Sequence, residues 1–312
     1  MKSNRRDFIR YSALTMAGLA AAGNMKAMRV PAGEAFSQEN AGTAKELFFK
    51  ISLAEWSFNR SLFARKMNHL DFPKRAKNDF GIHGVEYVST FFKSSDPSYL
   101  SELLKITRDL DVINVLIMVD GEGNFGDSNP EERKKAVEKH KRWVDAAKYL
   151  GCHSIRVNAR GKGTAEEVAK AAIDGLSMMT EYGKSQGINI IVENHGEYSS
   201  NAQWLSGVIR AVNSPFCGTL PDLGNFRISA TEEYDRYKGV AELMPYAKGV
   251  SAKTNGFDAQ GNEVKIDYFK MLKIVKDAGY HNWIGIEFEG TLPEDEGILA
   301  TKKLLERAGT AV

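Results

Sequence analysis

The feature that most constrains this chain is an alternation of short β-rich runs with longer segments of helical period, beginning near Lys45 and continuing to the C-terminal residues. The runs that read as strands are residues 49–53, 84–88, 112–119, 154–158, 188–193, 218–222, 249–253 and 283–289. Helices are expected over residues 72–79, 97–109, 130–150, 164–186, 202–212, 232–244, 267–278 and 294–307. Several carry end signals. Ser95-Asp96-Pro97 and Asn129-Pro130 put a capping side chain before a first-turn proline, and Gly151, Gly187 and Gly279 stand just past helix ends. Eight such alternations within about 260 residues match a (β/α)8 TIM barrel, because an open doubly wound sheet more often stops near about six strands.

The chain has 312 residues, 43% hydrophobic and 26% charged, enough for one large core, and a single catalytic domain is expected over residues 44–312. Its 42 basic and 40 acidic residues give a net charge of +2 with no basic block beyond the first residues, so no nucleic-acid partner is indicated. Cys152 and Cys217 lie near the starts of expected strands and read as small apolar residues; their number and spacing do not suggest a zinc site. A disulfide between them requires strands that bring them close. Residues 1–43 stand apart from the alternation. Arg5 and Arg6 precede an apolar stretch, residues 11–22, too short and too rich in alanine and glycine to span a bilayer stably. This resembles a twin-arginine export signal with a linker behind it, which implies a protein folded before export to the periplasm and no stable membrane anchor.

In a barrel of this kind ligands bind beyond the carboxyl ends of the strands, so polar residues at strand exits are the candidate site. The stretch NIIVENHGE, residues 189–197, is an apolar run that ends in Glu193, Asn194 and His195. Strand one leads to Trp56, strand two holds Glu86, and strand four carries Arg156 and Asn158. Strand six, GTLPDLGNF, supplies Asp222 and Asn225; strand seven supplies Ser251 and Lys253; strand eight, IGIEFEG, supplies Glu287 and Glu289. Strand alternation puts Glu287 and Glu289 on one face, and likewise Ser251 and Lys253. Glu193, Asp222 and Glu287 around one axis would repel one another and take up protons unless a cation relieves them. Such an oxygen-rich set favours Mn²⁺ or Mg²⁺ over Zn²⁺, with His195 or a water completing the shell. The competing reading for each acid is a bond to nearby backbone or an ion pair with Arg156 or Lys253.

Trp56, Phe58, Phe91, Phe92 and Trp204 sit where aromatic rings could wall a sugar pocket, with core packing expected for at least half of them. Among the histidines, His83, His153 and His281 belong to the opposite end of the barrel and His140 to a helix, while His69 either reaches the pocket or serves the surface. Residues 120–129, DGEGNFGDSN, are expected to lie over the catalytic face as a flexible lid or rim.

VENHG, LPDLGNF and IGIEFEG, in this order on strands five, six and eight, resemble the xylose isomerase-like TIM-barrel superfamily of sugar (phosphate) isomerases and epimerases, over about residues 47–308. The resemblance implies a divalent metal, often Mn²⁺, held by Glu, Asp, His and Glu from strands five to eight, which makes Glu193, Asp222 and Glu287 metal ligands here. It also implies two glutamates that exchange a proton with the substrate from opposite faces while the metal steadies the enediolate oxygens. The chain departs from the pattern twice. The usual His-x-Lys-Asp reads Ser251-Ala252-Lys253-Thr254, and Asp-x-x-His reads Asp222-Leu223-Gly224-Asn225. Ser251 can then ligate weakly or through water, His195 can substitute, or Lys253 can supply the positive charge.

The expected activity is that of a keto-sugar isomerase or epimerase working by metal-assisted proton abstraction α to a carbonyl. Glu193, Glu287, His195 and Lys253 are its catalytic candidates, and Trp56, Glu86, Arg156, Asn158 and Asn225 its substrate contacts. The alternatives are a 3-keto-glycoside lyase that eliminates the aglycone, which export favours, and a non-catalytic sugar-binding barrel. An endonuclease of the same superfamily would need more histidine ligands than this chain's 6 histidines supply, and a basic groove. The expected partner is a small carbohydrate, and self-association is compatible with the sequence.

Overall fold

The computed structural model describes residues 46–312, so the export-type segment and its linker lie outside the described residues. The strands are β1 (Lys50–Ala54), β2 (Gly84–Val88), β3 (Ile113–Met118), β4 (Ser154–Val157), β5 (Asn189–Glu193), β6 (Cys217–Leu220), β7 (Val250–Thr254) and β8 (Trp283–Phe288). Each is followed by a helix: α1 (Phe72–Phe80), α2 (Pro97–Asp109), α3 (Pro130–Leu150), α4 (Ala165–Gln186), α5 (Ala202–Val212), α6 (Arg236–Leu243), α7 (Tyr268–Asp277) and α8 (Glu294–Ala311). All ladders are parallel, in the order β6-β5-β4-β3-β2-β1-β8-β7, as the expected barrel requires.

Strand alternation divides the molecule into two cores. Val85, Tyr87, Ile155, Val157, Ile190, Val192, Ile284 and Ile286 point outward and pack with the helices. Ala54, Val88, Leu116, Met118, Ile191, Leu220 and Trp283 point inward and fill the barrel. Glu193 lies two residues beyond Ile191, and Asp222 two beyond Leu220, so both enter the interior at its carboxyl end. The same two-residue step puts Arg156, Ser251, Lys253 and Glu287 on the inner face, opposite the outward neighbours Val157, Val250, Ala252 and Ile286.

The join between β6 and β7 differs from the other seams. It consists of two single bridges, Thr219 with Ala247 and Asp222 with Ser251. Its backbone bonds are Lys248 N–H to Thr219 O at 3.0 Å, Ser251 N–H to Pro221 O at 2.9 Å and Leu223 N–H to Ser251 O at 3.0 Å. Pro221 has no N–H to donate, so the regular ladder stops at Leu220, short of the Asp222 boundary expected from sequence.

Helix ends follow local chemistry. Gly151 and Gly187 adopt φ of 80° and 75° after α3 and α4, where an αL residue lets the chain leave the helix. Asn129 and Thr164 accept helix-start N–H groups, Thr164 in a capping box with Glu167. Asp96 makes no such bond; its own N–H is held by Ser94 Oγ at 3.0 Å. α6 begins at Arg236 rather than Glu232, because Asp235 accepts the N–H of Lys238 and Glu233 is held in a bridge with Arg227. Cys152 and Cys217 are free and buried. Among the described residues no helix is long and apolar enough to cross a membrane.

Candidate active site

The carboxyl ends of β5, β6, β7 and β8 converge on one polar cluster. Glu193, Asp222 and Glu287 are all buried, and one ligand oxygen from each lies within 4.8 Å of the others. Asp222 Oδ1 accepts the N–H groups of Gly224 at 2.7 Å and Asn225 at 2.8 Å. Its own N–H donates to Asn194 Oδ1 at 2.8 Å, so the backbone around this acid is pinned on both sides. Ser251 Oγ lies 2.9 Å from both Asp222 Oδ2 and Glu287 Oε2. A hydroxyl has one proton to give, so both contacts are satisfied only if a carboxyl carries a proton or a cation intervenes.

Lys253 faces Glu287 across the β7–β8 register, its Nζ 2.6 Å from Glu287 Oε1, 3.1 Å from Glu289 Oε2 and 3.7 Å from Asp222 Oδ2. Glu289 also accepts the indole N–H of Trp56, which ties the wall of the mouth to the lysine. On the other flank, Glu193 Oε1 accepts Asn225 Nδ2 at 3.2 Å. Arg156 Nε stands 2.9 Å from Glu193 Oε2, yet the N–H is not directed at it, and both atoms lack a hydrogen bond. The ion pairs anticipated as the competing role of these acids are therefore present. They leave one carboxylate oxygen unsatisfied.

Burial raises the Glu193 carboxyl to about 7 and that of Asp222 to about 8, in spite of the opposing charges of Arg156 and Lys253. Burial acts on Glu287 too, but Lys253 and the Ser251 hydrogen bond prevail and hold it below the usual range. The ammonium is claimed mainly by Glu287, and the other two acids lack a full counter-charge. Three oxygen donors on three strands, an unsatisfied Glu193 oxygen and a hydroxyl shared between two acids fit a divalent cation. Among the described residues no histidine nitrogen joins the cluster, so His195 does not complete its shell.

Glu86 lies beneath the triad. It is fully buried, accepts Ser52 Oγ at 2.6 Å, and occupies room left by the missing side chain of Gly285. It therefore stands apart from the cavity wall, where a substrate contact would need to be. Burial first, and then the charges of Glu287 and Glu193, push its carboxyl up to about 8 from 4.5, against the Ser52 bond. Since the folded state holds this proton where the unfolded chain has lost it, Glu86 stabilises the fold at acidic pH, and that contribution is lost as pH rises through about 8. Glu86→Gln is accordingly expected to lessen the fall in stability with pH by about one proton. Urea melts of chelator-treated protein from about pH 5 to about pH 9 would show it. Parallel curves for variant and wild type would contradict a protonated Glu86.

The mouth holds a cavity of about 480 Å³ beside the cluster, lined in part by Trp56, Phe63, Asn124, Asn158, Arg160 and His195. Of the residues expected from sequence, Trp56, Asn158 and His195 line it, while Arg156, Asn225 and Lys253 belong to the acidic cluster. Trp56 and Phe63 form its aromatic side, with Phe91 packed against both rings at centroid distances of 6.1 and 5.1 Å. Phe58 packs in the outer core, Phe92 on His69 and Trp143, and Trp204 on Tyr198. His69 is buried against Glu55, Nδ1 to Oε1 2.7 Å, away from the mouth cavity.

Asp120, Arg160 and His140 also line the cavity but were not among the expected contacts. Asp120 was detectable, because it stands two residues past the inward-facing Met118. The loop 120–129 is an anchored rim: Phe125 is fully buried against His140, and Gly126 N–H bonds Arg160 O at 2.9 Å.

Eight parallel strands carrying a buried acidic triad at their carboxyl ends define a TIM barrel with a candidate metal centre. The chain belongs to the xylose isomerase-like TIM barrel family, whose model matches residues 74–308. A search of the curated proteins found no match. Among solved structures, a D-allulose 3-epimerase from Methylomonas sp. is 13% identical, with a TM-score of 0.66 over 85% of this chain and 100% of that one. A xylose isomerase-like TIM barrel protein from Mycobacterium smegmatis in complex with magnesium is 15% identical, with a TM-score of 0.63 over 86% and 98%. The IOLI protein with a bound zinc atom is 15% identical, with a TM-score of 0.65 over 84% and 99%. At these identities the likeness is one of fold.

Proposed function

We propose that the protein is a keto-sugar isomerase or epimerase that removes a proton α to a carbonyl. The observation that carries this reading is the position of Glu193 on β5 and Glu287 on β8, on either side of Asp222 and Ser251, beside a mouth cavity lined in part by Trp56, Asn158 and His195. Two carboxylates so placed can remove a proton from one side of a carbon and return it from the other. Solved neighbours named as D-allulose and D-psicose 3-epimerases support the same class. Glu193, Asp222 and Glu287 would hold the divalent ion, with Mn²⁺ or Mg²⁺ favoured by their oxygens. Such an ion supplies Lewis-acid stabilisation of negative charge on the substrate oxygens. Lys253 holds Glu287 ionised and adds positive charge beside it, Asn225 orients Glu193, and Trp56 packs against the sugar ring. Residues 1–43 suit export of the folded enzyme to the periplasm by the twin-arginine route.

The aromatic side formed by Trp56 and Phe63 favours a second reading, a 3-keto-glycoside lyase with the aglycone against these rings. Incubation in D₂O separates the two. The epimerase reading expects deuterium at the α-carbon of a ketose such as D-fructose, with no group expelled. Release of aglycone from a 3-keto-glycoside, without ketose exchange, would replace it by the lyase reading.

A further inference from the structure

His195 lines the mouth cavity, and its backbone is fixed at both ends: its N–H donates to Ser199 Oγ at 2.9 Å and its carbonyl accepts Arg160 Nη2 at 2.7 Å. The ring nitrogen Nδ1 has two polar neighbours, Asn158 Oδ1 at 3.1 Å and Arg160 Nη2 at 3.3 Å. These make opposite demands, since the amide oxygen requires a proton on Nδ1 and the guanidinium requires a lone pair.

The conflict is resolved one residue further away. Asn158 Nδ2 donates to Asp120 Oδ1 at 2.7 Å, and the same oxygen accepts Arg156 Nη1 at 2.8 Å. Turning the Asn158 amide over would set its oxygen against the carboxylate and lose that bond, so Oδ1 must face His195. A bare Nδ1 would then oppose the Oδ1 lone pairs at 3.1 Å. Arg160 Nη2 already has the backbone carbonyl of His195 as its closer acceptor. Nδ1 therefore carries the proton and gives it to Asn158. Nε2 is left with a lone pair and no hydrogen-bond partner among the described residues.

We infer that Asp120 and Asn158 are positioning residues that lock His195 as the Nδ1–H tautomer, so that Nε2 presents a hydrogen-bond acceptor to a hydroxyl of the substrate. The site thereby selects a sugar with a donor hydroxyl at that place and disfavours a deoxy or oxo group there, which would leave Nε2 unpaired. This rests on the reading of the cavity as a sugar site, but the tautomer does not.

The test uses the full chain with ¹⁵N-labelled imidazoles, His195 being assigned from a His195→Gln sample. Without ligand and near neutral pH, long-range ¹H–¹⁵N spectra are expected to show a protonated Nδ1 and a pyridine-like Nε2. Asn158→Leu should release the ring into a mixture of tautomers, and Asp120→Ala, which removes the acceptor that orients the Asn158 amide, should do the same. Titration with D-fructose should shift Nε2 in the wild type and bind about 3- to 10-fold more weakly to Asn158→Leu. An Nε2–H tautomer in the wild type, or an unchanged tautomer in Asn158→Leu, would overturn the lock. If D-fructose perturbs the Trp56 indole but not Nε2, the hydroxyl contact is wrong. If the tautomer is as stated but no tested ketose perturbs any cavity residue, the failure belongs to the sugar reading.

Discussion

Glu287→Gln is expected to reduce turnover of a ketose substrate by about 100- to 10,000-fold, the range associated with loss of a general acid or base. The amide keeps the shape of the side chain and can still accept from Ser251, so the barrel should remain folded and KM should change little. What it loses is the ability to take a proton, the charge that pairs with Lys253 at 2.6 Å and one charged ligand of the candidate ion, so metal content is measured beside the rate. Steady-state rates with the metal-loaded enzyme, measured beside Glu193→Gln, provide the check. If both variants turned over every detectable substrate as fast as wild type, neither glutamate would be the acid or base and the proton-abstraction reading would fail; no turnover by any of the three proteins would favour the sugar-binding barrel.

The second large effect concerns the metal. Elemental analysis of wild-type protein is expected to find about one divalent ion per chain, and Asp222→Asn to bring this to background, since loss of one charged oxygen ligand removes much of the electrostatic attraction. Asparagine is the informative replacement. Its side-chain oxygen can still accept the N–H groups of Gly224 and Asn225, so the turn after β6 is held while the charge is gone. Equal metal content in the two proteins would place the ion elsewhere, and its absence from both would leave Lys253 as the positive charge of the site.

Much of the architecture was legible because a strand's two-residue period decides which side chains enter the barrel. From Ile191 one counts to Glu193, and from Leu220 to Asp222, without knowing any coordinate. The pairings were less legible. Nothing in the sequence says that Ser251 Oγ touches both Asp222 and Glu287, or that Lys253 reaches three acids at once, because these contacts depend on side-chain directions across neighbouring strands, which periodicity does not set. Glu86 illustrates the limit of position along a strand: it faces inward as expected, but one layer too deep to touch the cavity. Arg160 and His140 escaped for different reasons. Arg160 sits in a loop where periodicity carries no signal, and His140 was set aside as helical although α3 carries it to the mouth. The end of β6 was placed too late because Pro221 interrupts hydrogen bonding without interrupting the apolar pattern.

The join between β6 and β7 gives the candidate centre a structural duty. Seven seams of the barrel are closed by ladders, one of them, β2 with β3, with a register shift, whereas this one uses isolated bridges, one of them between Asp222 and Ser251. The same two residues that would hold or neighbour the ion thus act as the clasp of the cylinder. Filling the centre with a cation would draw the clasp shut, and emptying it would leave the barrel weakest beside its own mouth. Chemistry and closure are therefore not separable functions at this edge, and a substitution made to silence the first acts also on the second.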